Sequence, residues 1–458
     1  MISTIFEQFV EASPVTVMVR AIMERNFRAE KLDELFEQSA QKQYTRTLLF
    51  STVVGLMSLV VCGIHPTVGA AYKALEKLVG VSRVALYDKL NGLEPGISRA
   101  LVDYSGKELA PLVKALGGSG APLLPGYEMR IVDGNHLGGT EHRLAVLQDQ
   151  RAGALPGQSI AILDPESMLV LDLICCEDAH AQERSLCPQV LSTVKPGEVW
   201  IGDRNFCTRS VLFGIDQRQA YLIIREHLNL PQQALEPLHS VGVSSTGTVF
   251  EQAIEITDEQ GNSLQLRRIV VQLKQPTRHG DTQVVILTQL PTAVADALTV
   301  ATLYLERWSV EGMFQVITDV FHCELKTLGY PRAALFVFAM AVVAFNILST
   351  LKTALKAVHG VGKIEAGLSD FYLVEEVQGT FRGMMIALPA PLWQPWADLT
   401  VEAFAETLKQ WATNVDLKRF SAAPRGPKKA KTKGIYDPKH PHVSTARLLQ
   451  QKENKRSP

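Results

Sequence analysis

The spacing of apolar residues changes near residue 120, and this change limits the folds open to the chain. Before it, segments 19–24, 29–41, 46–61 and 67–78 repeat their apolar residues at helical spacing, with few strand signals. The glycine- and proline-rich segment 117–125 then reads as a linker. We therefore predict an all-helical region over residues 1–120, followed by a region of another class.

Short apolar runs bounded by turn residues follow the linker. The predicted order over residues 121–227 is three strands, helix, strand, helix, strand, with a further possible short strand at 142–148. The predicted strands are 127–134, 159–163, 168–175, 198–202 and 220–225, and the predicted helices are 182–194 and 208–217. This order is typical of an α/β domain built on one sheet.

The α/β order stops at residue 228. Apolar segments 248–257, 264–271 and 283–287 alternate with turn residues and predict antiparallel strands, so residues 228–292 are interpreted as a β-rich insertion. Helical spacing returns at Ala293. We expect residues 293–360 to form the last part of the α/β core, followed by a helical region and basic tail over 361–458.

Charge is distributed unevenly along the chain. The formal net charge is −1, but residues 418–458 contain 12 Lys and Arg against two acids, a net of +10, which leaves −11 for the other 417 residues. A basic tail on an acidic body favours a polyanion, most often nucleic acid. A solvated chain end without a partner explains the same composition.

Two apolar runs, 48–64 and 333–350, contain no charged residue. Their lengths reach the lower limit for a membrane-spanning helix, but polar residues interrupt both, so buried core helices are the preferred interpretation over a membrane protein. The six cysteines are scattered and form no CxxC pair, which suits a reducing cytoplasm, and the N-terminus lacks the basic start of a signal peptide.

Residues 71–90 have the pattern of a helix-turn-helix. A helix is expected to end at Leu78, Gly80 to form the turn, and Ser82 to cap a second helix that buries Leu86 and Leu90. The side chains free to meet DNA would then include those of Arg83 and Lys89. A helical hairpin with a glycine turn and no DNA contact has the same pattern.

Two aspartates, Asp133 and Asp203, are predicted at the carboxyl ends of apolar strands, an edge where active groups of α/β sheets collect. Carboxylates brought together there repel each other, and a divalent cation relieves that repulsion with hard oxygen ligands. The alternative for each aspartate is a simple helix cap.

Tyr304, Arg307 and Glu311 are spaced so that they share one face of a predicted helix. The guanidinium fits a phosphate, the phenol can donate to another oxygen, and the carboxylate can ligate a metal. A salt-bridged surface face is the alternative. Trp308 is either a base-stacking or a helix-packing residue.

These pieces, IVDG around Asp133, IGDRNF around Asp203 and YLERWSVE around Glu311, resemble the bacterial insertion-sequence transposases of the cut-and-paste type. Their signature is an Asp-Asp-Glu triad with a Tyr-x2-Arg-x3-Glu-x6-Lys segment. The resemblance covers about residues 120–350. The sequence departs from the signature at Thr318, where the family has Lys, and at Arg204, where it has a small residue.

The resemblance implies a ribonuclease H-like core, with a mixed five-stranded sheet and helices on both faces. It also implies that Asp133, Asp203 and Glu311 hold two Mg²⁺ or Mn²⁺ ions, while Tyr304 and Arg307 bind phosphate. The expected activity is cleavage of the inverted-repeat ends, with a hairpin intermediate, and joining of the 3′-hydroxyl ends to target DNA. The expected partners are double-stranded DNA and a second copy in a synaptic homodimer, with no membrane.

The resemblance leaves one further alternative open. A non-catalytic or inactivated DNA-binding derivative of such an enzyme would carry the same motifs, although the intact triad argues against it. For either version the expected location is the cytoplasm, in association with the bacterial nucleoid.

Overall fold

A computed structural model describes residues 2–45, 47–277, 280–422 and 442–454. As predicted, the region before residue 120 is helical. Thr67 and Ser82 cap two of its helices by accepting hydrogen bonds from backbone amides. The helices are α1 (Ile2–Ala12), α2 (Pro14–Asn26), α3 (Ala29–Ser39), α4 (Phe50–Val61), α5 (Val68–Val79), α6 (Arg83–Gly92) and α7 (Pro95–Leu116).

The middle of the chain forms one large mixed sheet. Its order is β4-β3-β1-β5-β6-β11-β10-β9-β7, with β8 also paired to β9. The β1–β5 and β5–β6 pairs are parallel, and the other pairs are antiparallel. The strands are β1 (Glu128–His136), β2 (Ala154–Leu155), which lies outside this sheet, β3 (Gln158–Asp164), β4 (Leu169–Cys176), β5 (Glu198–Gly202), β6 (Tyr221–Arg225), β7 (Gln233–Ala234), β8 (His239–Val243), β9 (Gly247–Thr257), β10 (Ser263–Leu273) and β11 (Gln283–Thr288).

Helices cover both faces of the sheet, so alternate residues of one strand enter different cores. In β1, Ile131 packs into the core that α7 and the long helix α12 (Pro331–His359) share, whereas Val132 packs towards α8 (Cys187–Leu191) and α9 (Arg209–Asp216). Burial on both faces explains why the central strands are almost continuously apolar.

The predicted β-rich insertion is continuous with the central sheet. β11 pairs with β6, with Thr288 opposite Ile223, so the sheet has ten strands, not five. The possible strand at 142–148 was wrong. That segment forms turns, closed by short-range bonds such as Leu147 N to Leu144 O, 2.8 Å.

The helix predicted from Ala293 begins later and is divided. Asp296 caps α10 (Ala297–Leu303), a 3₁₀ turn follows at Tyr304–Arg307, and α11 (Trp308–Val320) completes the segment. Asp296 accepts a bond from the amide of Thr299, which fixes the start of α10 four residues beyond the predicted one.

Both charge-free runs are helices of the core. Among the described residues, α12 is long and apolar enough to cross a membrane, but the whole of its apolar window is buried inside the protein. α4 is a shorter apolar helix, and its Phe50 packs against Phe336 of α12. The structure thus gives both runs a packing role inside the protein, as the preferred interpretation predicted.

The C-terminal region is helical and returns to the sheet domain. Its helices are α13 (Val361–Gly367), α14 (Asp370–Ala387), α15 (Gln394–Ala397), α16 (Val401–Ala412) and α17 (Thr445–Asn454). The short strand β12 (Val443–Ser444) pairs with β2, and Arg447 forms an ion pair with Asp178. Most of the predicted basic tail, residues 423–441 and 455–458, lies outside the described residues.

Candidate active site

Asp133 lies on β1, and Asp203 directly follows β5, the parallel neighbour of β1. The β1–β5 register ends with Val132 opposite Gly202, so each aspartate is the next residue along its strand. Asp203 directly follows β5, as predicted, whereas Asp133 lies inside β1, three residues before that strand ends. β1 runs on because its pairing with β3 extends to His136. Both aspartates line one cleft of about 460 Å³.

Asp203 also caps the 3₁₀ turn that follows it. Its Oδ1 accepts a hydrogen bond from the amide of Asn205 at 2.6 Å. The capping role and the position at the cleft are therefore compatible, because the cap fixes the orientation of a carboxylate that still lines the cleft.

Arg307 connects the helical segment to the sheet. One terminal nitrogen of its guanidinium lies 3.4 Å from Asp133 Oδ2, and the other donates to Glu311 Oε1 at 2.8 Å. Tyr304, Trp308 and Glu311 line the same cleft. The structure therefore brings together six of the predicted site residues, although a 3₁₀ turn replaces the uniform helix expected beneath them.

Trp308 is placed at the surface of this group. Its side chain is 56% exposed, and the Arg307 guanidinium carbon lies 4.7 Å from its ring centre. An exposed ring beside a cation can accept a stacked base.

The environment of Asp133 in the cleft is unfavourable for the charged form of its carboxyl group. Burial raises the pKa of the Asp133 carboxyl from 3.8 to about 7; the Arg307 charge lowers that pKa, and the Asp203 charge raises it. Burial also raises the pKa of Tyr304 to about 12, which keeps the phenol protonated as a donor. The site therefore favours an added positive charge near the two aspartates.

The donor chemistry of the cleft fits a divalent cation, since three carboxylates supply the hard oxygens that Mg²⁺ and Mn²⁺ prefer. In the described part of the chain, however, no three acidic, histidine or cysteine side chains converge as a ready metal site. Arg307 bonds to both Asp133 and Glu311. Its buried Nε has no hydrogen-bond partner within the described part of the chain. A change in the position of Arg307 would free both carboxylates.

Two cations of the cleft, Arg204 and Arg225, received no role from the sequence; Arg204 was noted only as a departure from the signature. Arg225 ends β6, beside the strand that precedes Asp203, and pairs with Asp281 at 2.9 Å. Its place at a strand end is the same signal that identified the aspartates. The turn before β9 and the turn between β10 and β11 also reach the cleft, through Thr246 and Thr277.

The two helices and the turn predicted over residues 71–90 are present, and neither of the selected cations lines the cleft. α5 ends at Val79, one residue after the predicted end, Gly80 forms the turn at φ +66°, and Ser82 caps α6. Arg83 is exposed. The Lys89 ammonium lies 3.7 Å from the ring centre of Phe36, and burial lowers the pKa of this lysine.

The family model of the transposase DDE domain matches residues 124–347, just under half of the chain. The matched region contains the central strands, Asp133, Asp203 and the segment from Tyr304 to Glu311. No curated protein matches the chain. The mixed α/β region around the cleft is therefore similar to a transposase DDE domain, which supports the resemblance inferred from the motifs.

Proposed function

We propose that the protein is a cut-and-paste transposase that binds the inverted-repeat ends of its insertion sequence, cleaves them and joins them to target DNA. The observation that carries this proposal is the meeting of Asp133, Asp203, Arg307 and Glu311 in one cleft of the DDE domain. Cleavage by phosphoryl transfer needs positioned charges and no protein nucleophile, and this cleft offers both signs of charge.

Asp133, Asp203 and Glu311 would hold two Mg²⁺ or Mn²⁺ ions. When bound, such ions activate the attacking hydroxyl and stabilise the leaving oxygen of a phosphodiester. The order β4-β3-β1-β5-β6, with Asp133 on β1 and Asp203 directly after the adjacent strand β5, supports a ribonuclease H-like core that is extended by the remaining strands.

The cations of the cleft would bind the DNA backbone. Arg307 and Tyr304 would hold a phosphate beside the reacting bond, with Arg204 and Arg225 along the same strand. Transfer of Arg307 from its two carboxylate partners to a phosphate would leave those carboxylates free for the cations. Trp308 would stack on an unpaired base, in keeping with a hairpin intermediate.

Recognition of the ends would lie outside the cleft. The α5–α6 helix-turn-helix, with Arg83 and Lys89, would contact the inverted repeat, and the basic tail would add sequence-independent affinity. Two copies would pair the ends as a homodimer, in the cytoplasm and in association with the nucleoid.

The test uses a plasmid that carries a marker gene. The DNA that flanks the reading frame on its two sides is placed on the two sides of this marker. We expect purified protein with Mg²⁺ to release the marker fragment, with hairpin ends on a denaturing gel, and to insert it into a second plasmid. Binding of the ends without cleavage under any divalent cation would favour the inactivated derivative and contradict the proposed activity.

A further inference from the structure

Glu183 lies beside the residues that follow both aspartates, Gly134 after Asp133 and Asn205 after Asp203. It begins the 3₁₀ turn Glu183–Leu186, between β4 and α8. The sequence predicts a helix over residues 182–194 that includes Glu183, and it indicates no function for this residue. In the structure its two carboxylate oxygens face different partners, one on the loop after β5 and one at Gly134 in β1.

The first contact orders the loop of Asp203. Asn205 Nδ2 donates to Glu183 Oε2 at 2.9 Å, and the backbone amide of the same asparagine donates to Asp203 Oδ1 at 2.6 Å. Asn205 is exposed, so without Glu183 its side chain would have water as an alternative partner. The Glu183 carboxylate thus fixes the residue that orients Asp203.

At the second contact, the Glu183 carboxylate occupies the space beside Gly134 that a larger residue would fill. A Cβ atom at Gly134 would lie 2.2 Å from Glu183 Oε1, and the three nearest atoms to that Cβ all belong to the Glu183 side chain. A methyl group there would meet the end of a flexible side chain, not backbone. Gly134→Ala should therefore displace the carboxylate from Asn205 while leaving β1 in place.

We propose that Glu183 is a positioning residue of the active site, which holds Asp203 in the orientation needed for divalent-cation binding through Asn205. This inference rests on the proposed function. Removal of a residue that orients a metal ligand typically weakens metal binding 10- to 100-fold. A Gln in place of Glu183 keeps one acceptor oxygen of the same reach for Asn205, while it loses the charge and replaces the second oxygen with an amide NH₂.

The test measures free Mn²⁺ by electron paramagnetic resonance during titration of the full chain without DNA. We expect Glu183→Ala, Asn205→Ala and Gly134→Ala each to weaken Mn²⁺ binding about tenfold, and Glu183→Gln to change it less than about threefold. Because the residues act in one chain of contacts, Glu183→Ala combined with either other substitution should bind no more weakly than Glu183→Ala alone.

Glu177→Ala is the matched control, because it removes a nearby carboxylate that pairs with Arg332 at 3.0 Å. Its Mn²⁺ affinity should equal that of the wild type, and all variants should keep the wild-type melting temperature within a few degrees. Equal losses in Glu183→Gln and Glu183→Ala would overturn the positioning role in favour of direct charge. Unchanged binding in Glu183→Ala would overturn it altogether. Wild-type binding that does not depend on Asp203 would overturn the proposed function, and this inference with it.

Discussion

At the scale of single residues, Asp133 has the least favourable environment among the proposed catalytic side chains. Its carboxylate is largely buried beside Asp203, and Arg307 compensates only part of that cost. Burial raises its pKa from 3.8 to about 7, so the folded protein takes up a proton that the unfolded chain releases between these values. Without a bound cation, this group lowers the stability of the fold as the pH rises.

Asp133→Asn should therefore stabilise the metal-free protein. The gain should be absent near pH 4, grow up to about pH 7 and stay constant above it, with an upper limit of roughly 4 kcal/mol. Thermal or urea unfolding in EDTA across this pH range measures it. Asp216→Asn, at an exposed position on α9, is the control and should show no such trend. An Asp133→Asn protein that is less stable than the wild type at pH 8 would contradict this view of the site.

At the scale of elements, local signals predicted much of the fold. The Gly80 turn, the Ser82 cap and the strand before Asp203 depend on a few adjacent residues, and the structure has all three. The pairing of β11 with β6 and the 3₁₀ turn at Tyr304–Arg307 depend on contacts between distant segments. No local pattern reports such contacts, which is why the ten-stranded sheet, Glu183 and the Arg225–Asp281 pair were not foreseen.

Arg83 and Lys89 differ in their freedom to reach DNA. Arg83 is exposed on the first turn of α6, whereas the Lys89 ammonium would have to leave the ring of Phe36. We expect Arg83→Ala to weaken binding of the inverted repeat about tenfold, and Lys89→Met to weaken it less. Mobility-shift titrations on end and random duplexes measure both effects. A larger loss from Lys89→Met would mean that α6 meets DNA through its other end.

Thr318 lies on the exposed side of α11, where its hydroxyl donates to the carbonyl of Phe314 at 2.9 Å. A Lys at this place would add a cation two turns beyond Glu311 and near the negative end of the helix dipole. Thr318→Lys should tighten end-DNA binding a few-fold at low salt, steepen its salt dependence and leave the metal requirement unchanged. Weaker binding at every salt concentration would mean that this face of α11 points away from the DNA.

At the scale of the whole molecule, α12 joins the helical regions to the central sheet. It packs against α7, α4 and β4, and its one buried amide side chain explains a polar residue in an apolar run. Asn346 Oδ1 accepts from the amide of Val170 at 2.8 Å, and its Nδ2 donates to the carbonyl of the same residue at 2.9 Å. β4 is the edge strand of the sheet, so Asn346 satisfies backbone groups that no further strand can reach.

Asn346→Leu should destabilise the protein by about 2–4 kcal/mol, because it leaves a buried N–H and a buried C=O without partners. Thr350→Val is the control: it removes a buried hydroxyl that bonds only within α12, to Asn346 O, and should cost less than about 1 kcal/mol. Urea unfolding followed by circular dichroism measures both. Similar small losses in the two variants would show that the amide is not needed to cover the edge of β4.

The most direct measurement of the proposed active site is nicking of a duplex that carries the terminal repeat flanking the reading frame. It compares the wild type with Asp133→Ala, Asp203→Ala and Glu311→Ala, with end binding measured on the same preparations. We predict Mg²⁺-dependent nicking by the wild type, near-complete loss in each variant because metal ligands act as a unit, and end binding in all four proteins. Substantial Mg²⁺-dependent nicking by any of the three variants would contradict the assignment of that residue to the active site.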